Sequence, residues 1–215
     1  PGYGSLTRKI AIMKPNKIFA IEKDKKLSSF LKKNFKNFSK IEIINDDIFN
    51  IIENKNLGEN IVVFGNLPYN ISTQILASLI MLEKWPPWYE ILIFMFQKEV
   101  ADRILAKSNT KEFGRLSILC NWRLEIKDHF SVSKNCFFPK PKINSTVLSF
   151  KPKKNNIFII KNPNNLEMIT RILFSNRRKM INKNFSKLFG NDNSVAKDLN
   201  LNLNKRPGEL SNEMF

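Results

Sequence analysis

Nine consecutive residues, Phe64-Gly65-Asn66-Leu67-Pro68-Tyr69-Asn70-Ile71-Ser72, constrain this chain more than any other stretch. The apolar run Ile61 to Phe64 before the loop reads as a buried strand, and Ile75, Leu76, Leu79 and Ile80 after it recur at helical spacing. The spacing predicts a strand–loop–helix unit with Asn66 to Tyr69 in the loop at the carboxyl end of the strand. Open α/β sheets place their ligands there. A short amide, a proline and an aromatic in that order suit a flat base that carries an exocyclic amine. The Asn66 side-chain oxygen is one acceptor for such an amine, and the main-chain carbonyl of Leu67 or Pro68 is another. Pro68 fixes its own φ and restricts Leu67, so the acceptors are pre-positioned. Tyr69 offers a ring face, and stacking a base on an aromatic contributes roughly 1–3 kcal/mol. The N6 amine of adenine is a poor nucleophile because its lone pair is delocalised into the ring. Acceptors that fix it favour a pyramidal nitrogen able to attack a methyl group, and good alignment supplies roughly 7–11 kcal/mol.

Bulk properties narrow the partner. The 215 residues suffice for one large domain, or a large one with a small one, and 42% hydrophobic residues can bury a core. No uninterrupted apolar run approaches a membrane span, and the start lacks a basic-then-apolar signal peptide. Cys120 and Cys136 match no metal-ligand spacing and suit a reduced cytosol, as small buried apolar residues. A net charge of +17, from 36 Lys and Arg against 19 Asp and Glu, favours a polyanion. It does not separate RNA from DNA or from anionic lipid.

Asn66-Leu67-Pro68-Tyr69 resembles the (N/D/S)-P-P-Y motif of amino-methyltransferases, in the variant of the ribosomal RNA adenine N6-dimethyltransferases. The full nine-residue string is similar to that of the KsgA-type enzymes, which dimethylate two adjacent adenines near the 3′ end of small-subunit (16S) rRNA. The resemblance covers nearly the whole chain. It implies an α/β fold, a class I S-adenosylmethionine-dependent methyltransferase with a Rossmann-like sheet over residues 1–152. A small C-terminal α-helical, rRNA-binding domain would span 153–215. It also implies S-adenosylmethionine as cofactor, no metal, 16S rRNA or its precursor subunit as partner, a monomer, and a cytoplasmic site of action without a membrane. Two rivals stand beside it. An Erm-type enzyme would modify 23S rRNA, although Leu67 and the tail favour the small-subunit enzyme. A non-catalytic RNA-binding ribosome-assembly factor would keep RNA affinity without transfer.

Along the chain, Pro1-Gly2-Tyr3-Gly4 reads as the tail of a glycine-rich turn that leads into a helix running to about Met13. The resemblance implies a truncated start, with a strand ending in Glu-Ile-Gly just before Pro1 and a basic arm before that. Gly2 and Gly4 would line the methionine and ribose portion of the cofactor. Lys17 to Ile21 reads as a strand ending at Glu22, where an acid commonly accepts from ribose hydroxyls. Asp24 to Phe38 reads as an amphipathic helix with Leu27, Phe30, Leu31 and Phe35 on one side. Ile41 to Ile44 is a further strand, closing on Asn45-Asp46-Asp47-Ile48. By the resemblance, Asp47 rather than Asp46 accepts from the cofactor's adenine amine, and Ile48 packs its ring. The strand–helix alternation implies one doubly wound sheet, with the glycine turn, Glu22, Asp47 and Asn66 at strand ends along one edge.

Trp85-Pro86-Pro87-Trp88 reads as a packed turn, Ile91 to Phe96 as a continuous strand, and Gln97 onward as a helix. Ser117 to Arg123 and the segment near Ile126 read as further strand. Lys98, Arg103 and Arg115 either meet phosphates or form a solvated face. His129 has no partner for base catalysis in the sequence. Phe137-Phe138-Pro139-Lys140-Pro141-Lys142-Ile143-Asn144-Ser145 fits the family's F-x-P-x-P-K-(V/I)-x-S, whose first aromatic stacks on the far face of the target base. That aromatic maps to Phe137, opposing Tyr69, with Phe138 at the variable position. Thr146 to Phe150 closes the sheet, and 151–156 reads as a linker.

Residues 151–215 hold 13 Lys and Arg against 5 Asp and Glu, and residues 1–150 hold 23 against 14, so the tail is over twice as dense in net positive charge. Leu166 to Phe189 is helical in pattern and stopped by Gly190, with Leu166, Ile169, Leu173, Met180 and Leu188 on one face. Arg177 falls in that face, so either its stem packs or the helix breaks near Ser175. Phe174-x-x-Arg177-Arg178-Lys179 resembles the family's helical domain, which helps engage the ribosomal subunit. Arg115, Lys140, Lys142, Arg177, Arg178 and Lys179 are the candidate RNA contacts. Leu199 to Ser211 resembles the family's final helical segment.

Overall fold

The computed structural model describes residues 1–54, 57–154, 160–190 and 192–215, with the backbone alone at residue 128. It divides into two compact units, Pro1–Gly58 and Glu59–Phe215.

In the first unit, helix α1 (Ser5–Ile12) precedes strand β1 (Ile18–Ile21), helix α2 (Lys25–Asn34), strand β2 (Ile41–Ile44) and helix α3 (Ile48–Asn54). β1 and β2 pair in parallel, Ile18 with Ile41 through Ile21 with Ile44. Asp24 caps α2, its side chain accepting from the Leu27 N–H at 2.9 Å. Leu31 and Phe35 are buried, but Phe30 turns outward against Tyr3 and Phe38 lies beyond the helix end in a turn.

The second unit opens with strand β3 (Ile61–Asn66), helix α4 (Ser72–Ile80), strand β4 (Tyr89–Gln97) and helix α5 (Lys98–Leu105). Helix α6 (Arg115–Arg123), strand β5 (Leu124–Val132) and strand β6 (Ser145–Pro152) follow, then helices α7 (Pro163–Leu173), α8 (Asn182–Phe189) and α9 (Ser194–Asp198). Its sheet runs β3-β4-β6-β5, parallel between β3 and β4 and antiparallel elsewhere. The described residues thus form a two-stranded and a four-stranded sheet where the alternation predicts one. β3 lies at the edge of its sheet, and alternate residues Val62 and Phe64 are exposed rather than buried. Among the described residues no helix is long and apolar enough to cross a membrane.

Ser117 to Arg123 is helical, not extended. Ile118, Leu119 and Cys120 form a short apolar run whose period cannot separate strand from helix. Local bonds decide it: the Gly114 N–H donates to Ser117 Oγ at 3.1 Å, and that hydroxyl donates to the Arg103 carbonyl at 2.6 Å, fixing a helix start against α5.

The pattern from Leu166 to Phe189 breaks after Leu173, in a tight turn at Phe174–Asn176. Ser175 Oγ donates to the Ile172 carbonyl, and the N–H groups of Ile181 and Asn182 bond to the carbonyls of Lys205 and Leu203 instead of continuing the helix. Met180 is consequently exposed. Leu173, Ile181 and Leu210 form a small core with Ile169, Leu188 and Phe215 around it. Gly190, at φ +64°, ends α8. Leu199 to Ser211 holds only a short helical turn, Pro207–Glu209. Residues 155 and 156 of the expected linker lie outside the described residues, and its first two residues belong to β6.

Arg123 fixes the helix that follows the Asn66–Tyr69 loop. Its Nη1 donates to the Ile80 and Leu82 carbonyls at the end of α4, at 2.7 and 2.6 Å. Its guanidinium lies over the rings of Trp85 and Trp122. Arg123→Met leaves those carbonyls without this donor, so urea unfolding followed by far-UV circular dichroism should show a loss of about 2–4 kcal/mol. A loss below about 1 kcal/mol would mean that other donors take its place.

Candidate active site

In the first unit the acids lie at the carboxyl ends of β1 and β2. Gly2 (φ +57°) and Gly4 (φ +83°) take left-handed backbone, and a Cβ on Gly4 would lie 2.7 Å from the Phe35 ring and 2.9 Å from Leu31. The Gly2 N–H donates to Glu22 Oε2 at 3.1 Å, and Asp24 N–H donates to Glu22 Oε1 at 3.0 Å. Asn45 Nδ2 donates to the Glu22 carbonyl at 2.8 Å, tying the two strand ends together.

The neighbouring aspartates differ in what they face. Asp46 Oδ1 accepts from the Asp47 N–H and from Asn50 Nδ2, turning it to the start of α3. Asp47 accepts from Lys23 Nζ at 2.7 Å and from the Phe49 N–H at 3.1 Å. The Lys23 hydrogen bond first, then the Phe49 N–H, holds the Asp47 carboxyl below the usual carboxylate range. Half-buried Ile48 follows as the first residue of α3. A carboxylate has about four lone-pair sites, and these bonds use two on Glu22 and two on Asp47. Both therefore keep acceptor capacity for hydroxyl or amine donors, which suits a nucleoside.

In the second unit a cleft of about 340 Å³ is lined by Asn66, Leu67, Pro68, Tyr69, Met95, Phe137, Pro139 and Pro141. Its size is at the small end for ligand sites. Asn66 is the last residue of β3, not a loop residue as the pattern suggests, and it pairs with Met95 of β4. Close packing shapes the turn after it. A Cβ on Gly65 would lie 2.7 Å from Leu67 Cδ2 and 2.8 Å from Phe94 Cδ1. Leu67 thus folds back over Gly65. The Pro68 carbonyl accepts from the Ile71 N–H at 3.1 Å, and Ser72 Oγ donates to the Tyr69 carbonyl at 3.2 Å.

Ser145, the first residue of β6, and Asn144 just before it hold the cleft's walls. Fully buried Ser145 places its Oγ 3.1 Å from Tyr69 Oη. Asn144 Oδ1 accepts from the Lys134 N–H at 3.0 Å, and its carbonyl accepts from the Lys98 N–H at 3.0 Å. The first bond closes the loop that carries Phe137. Phe138, by contrast, is fully exposed.

Residues 1–215 match the ribosomal RNA adenine dimethylase family. The chain belongs to that family. A relative from Pelagibacter ubique (strain HTCC1062), named ribosomal RNA small subunit methyltransferase A, is 46% identical over all of this chain and 81% of its own length. One of the same name from Wolbachia sp. subsp. Drosophila simulans (strain wRi) is 36% identical over all of this chain and 78% of its own. The crystal structure of a dimethyladenosine transferase from Plasmodium falciparum shares the fold, with a TM-score of 0.76 at 23% identity over 99% of this chain and 84% of that one. The 23S rRNA methyltransferase ErmE gives 0.66 at 19% identity over 100% and 84%. The chain is an S-adenosylmethionine-dependent rRNA adenine dimethyltransferase with a Rossmann-like α/β fold.

Within this dimethylase, Asn66 to Tyr69 and Phe137 meet on one cleft, and Gly2 meets Glu22. The basic candidates differ in their surroundings. Arg115 pairs with Glu167 at 3.3 Å, Arg177 donates to the Thr110 carbonyl at 3.3 Å, and Arg178, Lys179, Lys140 and Lys142 are exposed. Lys98 pairs with Asp102 at 2.7 Å, while Arg103 is exposed. Cys120 is buried as expected, and its thiol is pushed up by burial, whereas Cys136 is exposed. Sequence reasoning missed Met95 and the anchoring roles of Asn144 and Ser145. Met95 sits within an unbroken apolar run, and only the register with Asn66 singles it out. Among the described residues no group of three His, Cys, Asp or Glu side chains could hold a metal.

Ser145→Ala removes the partner of the Tyr69 hydroxyl. It should lower methyl transfer several-fold, Tyr69→Phe should do the same, and the double variant should lose no more than either single one. Additive losses would mean the two hydroxyls act separately. Asp47 should titrate below an ordinary aspartate in a carbon-13 carboxyl titration, and Lys23→Ala should raise it. With the folded value depressed, the stabilising effect is complete above the unfolded value of about 3.9. It is lost as pH falls through the folded value, and an unmoved Asp47 in the Lys23 variant would reject the pairing.

Proposed function

We propose that this dimethylase modifies N6 of two adjacent adenines in the 3′-terminal hairpin loop of 16S rRNA, acting as a monomer on the small subunit or its precursor in the cytoplasm. The single observation carrying this reading is the cleft in which Asn66, Leu67, Pro68 and Tyr69 share lining with Phe137. The shared name of the Pelagibacter and Wolbachia relatives supports the small subunit as substrate.

The target adenine leaves its stack and enters between Tyr69 and Phe137. Asn66 Oδ1 and a main-chain carbonyl accept from its amine. The Pro68 carbonyl already accepts from Ile71, which favours the Leu67 carbonyl for this role. S-adenosylmethionine supplies an activated methyl group. Gly2 and Gly4 would give its methionine and ribose room, Glu22 would accept from the ribose hydroxyls, and Asp47 from its adenine amine beside Ile48. Asn66 would also border the cofactor. The attacking amine becomes an ammonium that loses its proton readily, so the chain need not supply a strong base during attack. The cleft must then admit a nitrogen that already bears one methyl.

Residues 1–152 would do this chemistry, and 153–215 would engage the ribosomal subunit through Arg177, Arg178 and Lys179. Arg115, Lys140 and Lys142 would also meet rRNA.

The test is transfer from labelled S-adenosylmethionine to unmethylated small subunits, with large-subunit rRNA in parallel, and mass spectrometry of the digested product. Dimethyladenosine from the small subunit alone is expected. Label in large-subunit rRNA would reassign the substrate. Asn66→Ala should cut transfer by roughly 100-fold or more, by analogy with loss of one catalytic hydrogen bond, while RNA affinity holds. Unchanged turnover would remove Asn66 from its role.

A further inference from the structure

We propose that Phe138 is a second stacking platform, for a base of single-stranded RNA that flanks the target, with Lys140 and Lys142 taking the adjoining phosphates. The proposal rests on the rRNA reading above and adds a site outside the cleft.

Phe138 has a relative exposure of 102%, the highest of any large hydrophobic side chain among the described residues. It adds nothing to the core, so folding does not account for it. Its direction follows from the backbone. Phe137 is extended, with φ −119° and ψ 147°, and successive side chains on extended backbone point to opposite sides. Phe137 lines the cleft, so Phe138 faces away from it, one residue further along the same loop.

The loop is also held in place. Asn144 Oδ1 accepts from the Lys134 N–H, the Asn144 carbonyl accepts from the Lys98 N–H, and Lys134 Nζ donates to the Lys142 carbonyl at 3.4 Å. Pro139 and Pro141 restrict the backbone between these anchors. A ring presented on such a loop loses little further backbone freedom when a base stacks on it. Exposed Lys140 and Lys142 follow Phe138 two and four residues on, and they alternate with Pro139 and Pro141, which line the cleft with Phe137. An aromatic face beside positive charge is the combination that binds unstacked nucleotides with little regard to base identity.

The experiment uses the whole chain and short RNAs carrying the target adenine, with fluorescent 2-aminopurine placed in turn at the positions on either side of it. Stacking on an aromatic ring quenches this base. The wild type should quench it at one flanking position. Phe138→Ala should abolish that quenching and raise the Kd for RNA by roughly 5- to 100-fold. Its kcat at saturating RNA should hold, and Phe138→Trp should restore both quenching and affinity. Phe138→Ala binding within about two-fold of wild type, with quenching intact, would overturn the proposal. A Kd loss that Trp does not rescue would do the same. Methylation by the wild type, measured on the same RNAs, separates the two readings. If the wild type methylates them while Phe138→Ala binds normally, only the second platform fails. If it methylates neither these RNAs nor unmethylated small subunits, the substrate assignment itself fails.

Discussion

The contact between the hydroxyls of Tyr69 and Ser145 joins the turn after β3 to the first residue of β6, 76 positions later. It exists because β4 stands between those strands, with Asn66 opposite Met95 on one side and Gln97 opposite Ser145 on the other. Side chains alternate faces along a strand, so a slip of one residue in either pairing would send Ser145 or Asn66 to the wrong face. The cleft is therefore a product of sheet register before it is a product of loop sequence. Leu67 packed on Gly65, and Asn144 bonded to Lys134, then set the turn and the proline loop on that frame.

The acids of the first unit follow a different logic, in which short-range hydrogen bonds sort similar residues. Asp46 and Asp47 are adjacent and chemically identical. One binds its own helix start, and the other faces Lys23 and the Phe49 N–H. Glu22 spans the glycine turn and the end of its own strand, which fixes its carboxylate without exhausting its lone pairs.

Much of this was legible in the sequence where local chemistry and position agree. Asn66-Leu67-Pro68-Tyr69 between an apolar run and a helical pattern marked the cleft, and the likeness of the proline loop to the family's pattern singled out Phe137, which lines that cleft where Phe138 does not. The failures share a cause. Ser117 to Arg123 carries an apolar run too short for its period to speak, and a hydroxyl bonded to Arg103 made it a helix. The break after Leu173 depends on carbonyls of Leu203 and Lys205, thirty residues away and invisible to a helical pattern. β3 looked buried because its residues are apolar, but successive side chains of a strand point to opposite faces, and the face that carries Val62 and Phe64 is exposed. Ser145 gave no sign of its partner because hydroxyl pairs across a sheet leave no trace in spacing.

The cluster around Arg123 also determines what light can report about this protein. Its three tryptophans, Trp85, Trp88 and Trp122, all lie in the second unit. Two sit against the Arg123 guanidinium, and the third meets Tyr89 edge-on. The first unit has Tyr3 as its sole tyrosine and no tryptophan. Intrinsic fluorescence excited at the red edge of absorption therefore reads the junction of α4, β4 and α6, and is blind to the glycine turn with Glu22 and Asp47. A melting curve recorded that way would describe the second unit alone, and the first unit would need a probe of its own.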